Sequence, residues 1–411
     1  MKKILYSILP GLFLIGFNIG TGSVTAMAKA GANYGMSLLW ALALSCLVTY
    51  FLMLQYGKFT VVTGLTALQA FKKHIHPTVG FFFIIALGIN VSGGIMGVMG
   101  IVNDVLHVFS EKYVEGGISA LSWAGITSSV VYFLFLSGKT SRFEKILSVF
   151  VAVMGFAFII NSLMLDFPGS EILKGLVPKV PKAASSNTGG AFLVVAGMVG
   201  TTISSMVFLI RTTLVKESKW TISELNIQKR DAMVSAILMF LISAAIMLSS
   251  AAALHNSTGK LDDTSELISL LGLFAGGSGV LLMVIGIVAA GLSSHLPNIL
   301  LLPWLICDYF EIKRDMTKPG FRILVLIMSL LSFVVPLFHQ RPVLVLILSQ
   351  AFAALVLPAT VACIFYLLNR KDLMGAYKAS KVDNLILTAI QLFAIFMGGI
   401  GLMGFMDMLG Y

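Results

Sequence analysis

Gly16-Phe17-Asn18-Ile19-Gly20-Thr21-Gly22-Ser23 lies inside an apolar stretch that runs from about residue 5 to 29. Glycine is a poor helix former, and Ser, Thr and Asn compete for backbone hydrogen bonds. The run therefore breaks a helix in mid-membrane. A second run of the same kind, Gly197-Met198-Val199-Gly200-Thr201-Thr202-Ile203-Ser204-Ser205, interrupts the apolar stretch 190–214. One glycine-rich segment alone reads as a site of close helix packing. Two at corresponding positions read as paired broken helices.

Whether the positions correspond depends on the span count. Stretches long enough to cross a bilayer, about 20 residues each, fall at 5–29, 36–56, 79–106, 117–137, 145–165, 190–214, 232–254, 268–294, 320–338, 343–368 and 386–408. The two breaks thus sit in the first and sixth of about eleven spans and cross in opposite directions. Such a pair points to an inverted-repeat transporter with its site at the midplane. The composition agrees: 58% of the 411 residues are hydrophobic and 11% charged, against about 25% charged in soluble proteins. The fold class expected is an all-α membrane protein.

Charge sets the expected orientation. The N-terminus and the loops after the even-numbered spans hold 21 lysines and arginines, and the opposite side holds 7. The positive-inside rule puts the N-terminus in the cytoplasm and the C-terminus outside. The net charge of +10 is then a topology signal, not the footprint of a nucleic-acid partner. Cys46, Cys307 and Cys363 form no metal spacing and read as small buried hydrophobes. The first span is too long for a cleaved signal peptide. No linker divides the chain, so residues 1–411 read as one transmembrane domain, multi-pass in a bacterial-type plasma membrane.

Several stretches resemble the natural-resistance-associated macrophage protein (NRAMP) family of divalent-metal transporters. They are Ala30-Gly31-Ala32-Asn33-Tyr34-Gly35 with Leu38-Leu39-Trp40, Val62-Thr63-Gly64, Ala289-Ala290-Gly291-Leu292-Ser293-Ser294, and Leu348-Ser349-Gln350 followed by Leu357-Pro358 and Asn369-Arg370-Lys371-Asp372-Leu373-Met374-Gly375. The resemblance implies a LeuT-type 5+5 inverted repeat with helices 1 and 6 broken. Repeat one would cover about 5–165 and repeat two about 190–368, with an extra helix at about 386–408. It also shows departures where the metal chemistry sits. The family's metal-binding Asp falls on Gly20 and its Asn on Ser23. Its Met-Pro-His run falls on Ser204, Ser205 and Met206, its later His on Arg211, and its proton-relaying acid on Gly94. Only Gln350 matches a family metal contact.

The residues themselves lead the same way. None of the 18 Asp and Glu falls within the interior of the first, second or fifth to tenth spans as drawn. A hard divalent cation normally takes several oxygen ligands including carboxylates, and neutral groups compensate a bare double charge poorly. The unpaired N–H groups after the first break favour negative charge. These points select a small organic solute (an amino acid, a cyclic derivative or another small carboxylate, with a sugar as a further option), moved by alternating access. Its candidate binding residues are Gly20, Thr21, Gly22, Ser23, Gly200, Thr201, Thr202, Ser204 and Gln350. The alternative is a Mn²⁺/Mg²⁺-type transporter with an altered site, carrying a partly hydrated ion. Ser293 and Ser294 are candidates for an ion-coupling site, with Na⁺ as the coupling ion or no coupling at all. Arg211 is expected to snorkel toward the interface, and His295 to pack near the inner end of the eighth span. No cofactor, resident metal or obligate protein partner is expected beyond the solute and the bilayer. The lack of any nucleophile–base constellation argues against an enzyme.

Overall fold

The computed structural model describes residues 20–137, 155, 159, 162, 168–179, 190–255 and 276–409. Every element among them is helical. The principal helices are α1 (Thr21–Tyr34), α2 (Leu39–Thr63), α3 (Ala67–Ala70), α4 (Pro77–Ser110), α5 (Ala120–Leu136), α6 (Gly190–Thr202), α7 (Ser205–Glu217), α8 (Leu225–Leu254), α9 (Gly276–Tyr309), α10 (Pro319–Leu330), α11 (Pro342–Asn369) and α12 (Lys381–Leu409). Among the described residues, eight spans are long and apolar enough to cross a membrane, with α6 and α7 forming one interrupted span and α10 continuing to Phe338 as another. The half of the first span before Gly20 and nearly all of the expected fifth span lie outside the described residues.

Local signals set many of the starts. Pro77 and Pro342 occupy first-turn positions in α4 and α11, where the missing N–H is no loss. Thr66 and Gln69 form a reciprocal capping box that opens α3. The ends were harder to foresee. The apolar stretch of the eighth span was drawn to residue 294, yet α9 passes through Pro297 and Pro303 to Tyr309. Neighbouring helices in a membrane bundle can re-satisfy the groups a proline frees. His295 consequently sits mid-helix rather than near an end. It is fully buried, and neither ring nitrogen has a partner among the described residues.

α11 is the hub of the packing. It touches α4, α6, α12 and α1, while α1 lies along α8 and α9 along α4. Small residues permit the closest of these approaches. A Cβ placed on Gly97 would come within 2.6 Å of Leu346 Cβ, and one on Gly100 within 2.7 Å of Pro342 Cβ. A glycine stripe on α4 therefore lets its backbone press against α11, which is how helices gain dispersion energy where lipid gives no hydrophobic drive.

Two polar clusters hold the lysine- and arginine-rich end together. In the first, Asp308 at the end of α9 accepts from Thr66 Oγ1 (2.7 Å) and Gln69 Nε2 (2.9 Å). Lys216 of α7 donates to Gln69 Oε1 at 2.8 Å, and the Ala67 N–H donates to Thr212 Oγ1 at 3.0 Å. Outside the spans, Lys73 bonds Glu311 at 2.8 Å and holds that carboxyl below its ordinary range. The second cluster corrects the expectation for Arg211. Its guanidinium does not reach an interface but is fully buried, paired with the equally buried Asp231 of α8. Nη2 also donates to the Gln228 carbonyl at 3.3 Å, and the group lies 5.6 Å from the Trp220 ring centre. Asp231 and Asp308 further correct the view that the later spans carry no carboxylate. Each lies within a helix that begins earlier or ends later than hydropathy alone suggests.

Removing one member of a buried ion pair strands the other charge, at about 3–5 kcal/mol. Asp231→Asn should therefore lower the unfolding temperature of the purified protein sharply. The double variant Arg211→Met with Asp231→Leu should recover most of that loss, as read by thermal unfolding in detergent.

Candidate functional site

α6 ends where the Ile203 N–H bonds the Val199 carbonyl at 2.7 Å. Ser204 is extended (φ −73°, ψ 123°), and α7 begins at Ser205. The interruption is thus two residues long, shorter than the run that forecast it. Thr49 Oγ1 of α2 donates to the Thr202 carbonyl at 2.8 Å, satisfying one acceptor freed at the end of α6. α1 begins abruptly after Gly20, whose backbone is extended (φ −85°, ψ −175°). No side chain caps this start. The first helical bond runs from the Val24 N–H to the Gly20 carbonyl at 3.1 Å, so the N–H groups before it have no acceptor within the helix.

The two helix ends face a common cavity of about 90 Å³, room for an ion with several waters. α1 contributes Gly22 and Ser23, with Gly20 just before it. The sixth span contributes Gly200, Thr201, Ser204 and Met206. α4 adds Asn90 and Gly94, α9 adds Ser294 and Asn298, and α11 adds Ser349 and Gln350. No carboxylate stands among the described lining residues. Close backbone approach shapes the wall: a Cβ on Gly200 would collide with the Gln350 carbonyl oxygen, and one on Gly22 with Gln350 Nε2. Gly94 differs, because a Cβ there would meet only Ser349 Oγ at an ordinary 3.8 Å.

Of the candidate binding residues, Gly20, Gly22, Ser23, Gly200, Thr201, Ser204 and Gln350 converge on this cavity. Thr202 does not. Its hydroxyl donates to the Met198 carbonyl of its own helix at 2.8 Å, and the side chain is buried away from the wall. The side chain of Thr21 lies outside the described residues. The serine pair also separates: both hydroxyls donate to the Ala290 carbonyl at 2.9 Å, but only Ser294 reaches the cavity. Asn90, Asn298, Ser349 and Met206 line it without having been singled out for binding. A side-chain amide in mid-span is expensive to bury without a purpose; that signal was present in the sequence at Asn90, whereas Asn298 lies beyond the eighth span as drawn and enters only because α9 continues to Tyr309.

Gly20, Ser23, Gly94, Ser204, Met206 and Gln350 are six of the positions onto which the resemblance placed family site residues, and all line one cavity. The sequence model described as Natural resistance-associated macrophage protein-like matches residues 11–404. The chain belongs to the Nramp family. Among Nramp relatives, the divalent metal cation transporter MntH of Verminephrobacter eiseniae (strain EF01-2) is 22% identical over 87% of this chain and 80% of its own length. MntH of Klebsiella pneumoniae (strain 342) is also 22% identical, over 88% and 84% respectively. A manganese transporter of Eremococcus coleocola superposes with TM-score 0.79 at 17% identity, covering 98% of this chain and 87% of that one. Mhp1, a nucleobase-cation-symport-1 family transporter, superposes with TM-score 0.62 at 15% identity, covering 97% and 90%. The architecture is the LeuT type.

These Nramp relatives overturn the small organic solute as cargo. The full-length matches are named divalent metal cation transporters and the similar Nramp structure is a manganese transporter, which favours the metal alternative. The solute assignment gave too much weight to the missing carboxylates and too little to the partly hydrated ion of the alternative reading. An ion that keeps part of its water shell asks less of the protein.

The glycines of the wall have separable roles. Gly200→Ala should force α6 away from α11 and lower stability by about 1–3 kcal/mol, the usual penalty for overpacking. Gly94→Ala has room and should unfold with the parent. Thermal unfolding of the two variants side by side measures the difference.

Proposed function

We propose that this chain is a secondary transporter for a divalent metal cation of the Mn²⁺/Mg²⁺ type, carried with part of its water shell. The observation that carries this reading is the cavity wall, which stands where Nramp chemistry is expected and is built of neutral oxygen and amide groups without a carboxylate among its described residues. Hydroxyl, carbonyl, amide and water oxygens suit hard divalent ions. Mg²⁺ in particular dehydrates reluctantly and is held through retained waters. Several waters fit in the space beside the wall. Met206 is the wall's sulfur residue and adds polarizable surface of the kind softer ions prefer.

Alternating access takes place about the interrupted sixth span and the abrupt start of α1, with the chain embedded in a bacterial-type plasma membrane, its N-terminus cytoplasmic and its C-terminus outside. Ser294 is the member of the serine pair placed to serve a coupling ion, Na⁺ being the ion to test. Both serines bond the Ala290 carbonyl of their own helix, and Ser294 alone of the pair lines the cavity.

Thermal stabilisation of the purified protein by Mn²⁺ and Mg²⁺, with and without Na⁺, tests the reading, alongside uptake of each metal into proteoliposomes. Metal at 100 times its dissociation constant should add about 2.7 kcal/mol to the folded state. Gly20→Asp restores a carboxylate at the start of α1 and should tighten Mn²⁺ binding about tenfold, since charge count tunes such sites. Absence of both a saturable shift and flux with either metal would remove divalent transport from consideration.

A further inference from the structure

The cavity's polar groups are not evenly distributed. On one side, α1 begins with N–H groups that lack helical acceptors, and a helix N-terminus carries partial positive charge. On the other side, three helices turn acceptors inward. Asn90 of α4 donates from Nδ2 to the Ser349 carbonyl at 2.6 Å, and Ser349 Oγ returns a bond to the Asn90 carbonyl at 2.7 Å. A carbonyl can only accept, so this bond fixes the amide nitrogen of Asn90 against α11. Its Oδ1 is left without a hydrogen bond among the described residues. Ser294 spends its proton on the Ala290 carbonyl and keeps its lone pairs. Asn298 follows four residues later on the same face of α9 and lines the same cavity. Its amide makes no hydrogen bond among the described residues. Gln350 is 8% exposed, and its Oε1 is buried without a partner.

Buried polar atoms are rarely left unpaired, and each exception asks for a water or an ion. Three amide side chains line one cavity, Asn90 on α4, Asn298 on α9 and Gln350 on α11, and together offer acceptors suited to a cation or to the water around it. The end of α6 adds to the same sign. The C-terminal end of a helix carries partial negative charge. A positive ion in this space is drawn away from the start of α1.

We propose that the ion's seat lies against α4, α9 and α11, with Asn90 and Asn298 as ligands for the ion or its bound waters beside Gln350. This placement rests on the divalent-cation reading above and adds to it the specificity-determining residues. It assigns the loss of a carboxylate at Gly20 a structural counterpart: the cation is held by the opposite wall. A seat made of amides on three helices binds through dipoles and not through net charge. It therefore favours an ion that keeps waters able to span the remaining distance.

Asn298 gives the cleaner test, because Asn90 also ties α4 to α11. Isothermal titration of the full chain with MnCl₂ and with MgCl₂ is compared among the parent, Asn298→Ala and Asn298→Asp. Asn298→Ala should weaken binding of the favoured metal about tenfold, the lower range for losing a supporting group at a metal site. Asn298→Asp, nearly equal in size, should tighten it about tenfold through added charge. A gain cannot arise from mere structural damage, so this variant keeps the proposal testable even if the alanine variant fails to fold. A parent that binds metal, with both Asn298 variants unchanged in affinity, overturns the seat and leaves divalent transport standing. A parent that binds neither metal overturns both.

Discussion

A bilayer interior offers no water to an unpaired peptide group, and this constraint governs the rest of the molecule. An interrupted helix survives there only if protein or a wet cavity takes over its freed N–H and C=O groups. At Ile203 and Ser204 the chain meets this condition in two ways. Thr49 caps the Thr202 carbonyl from α2, and the remaining polar groups open on the cavity. The glycines then become intelligible. Gly200 lets the interrupted span lie against the backbone of α11, and Gly22 lets the start of α1 approach Gln350. The site and the packing are one solution to the same problem.

Much of this was legible in the sequence because it was written in local chemistry. The break in the sixth span announced itself through Gly197, Gly200 and the cluster of hydroxyls. The shared cavity followed from pairing that break with Gly20 and Gly22. Thr202 was misplaced for a reason that spacing cannot resolve. A threonine in a helix can face a cavity or bond its own i−4 carbonyl, and residue type does not distinguish the two. The end of α9 was misjudged because the apolar stretch was drawn to residue 294, short of the helix's end at Tyr309. That error also displaced His295 from its true mid-helix position.

Other features were invisible for tertiary reasons. Arg211 and Asp231 meet across the turn between α7 and α8, and nothing in either segment alone predicts that both become fully buried. The preference for an organic cargo came from counting carboxylates. Counting amides would have found Asn90, a polar group placed where burial is costly; Asn298 lay beyond the eighth span as drawn. The family assignment extends over most of the chain at low identity, so the scaffold has been kept while the cavity residues depart from the set that the resemblance implies.

The reciprocal bonds between Asn90 and Ser349 have a mechanical consequence. Each residue offers a side chain to the other's carbonyl, at 2.6 and 2.7 Å, just where glycines bring α4 and α11 into backbone contact. Such a double cross-tie resists both sliding and twisting, so α4 and α11 behave as a strut. Rotation that exposes the cavity to one side and then the other has to be taken up by less constrained joints. The two-residue interruption at Ile203–Ser204 and the uncapped start of α1 are joints of that kind. Relative to that strut, the interruption of the sixth span and the start of α1 are where helical bonding is least continuous.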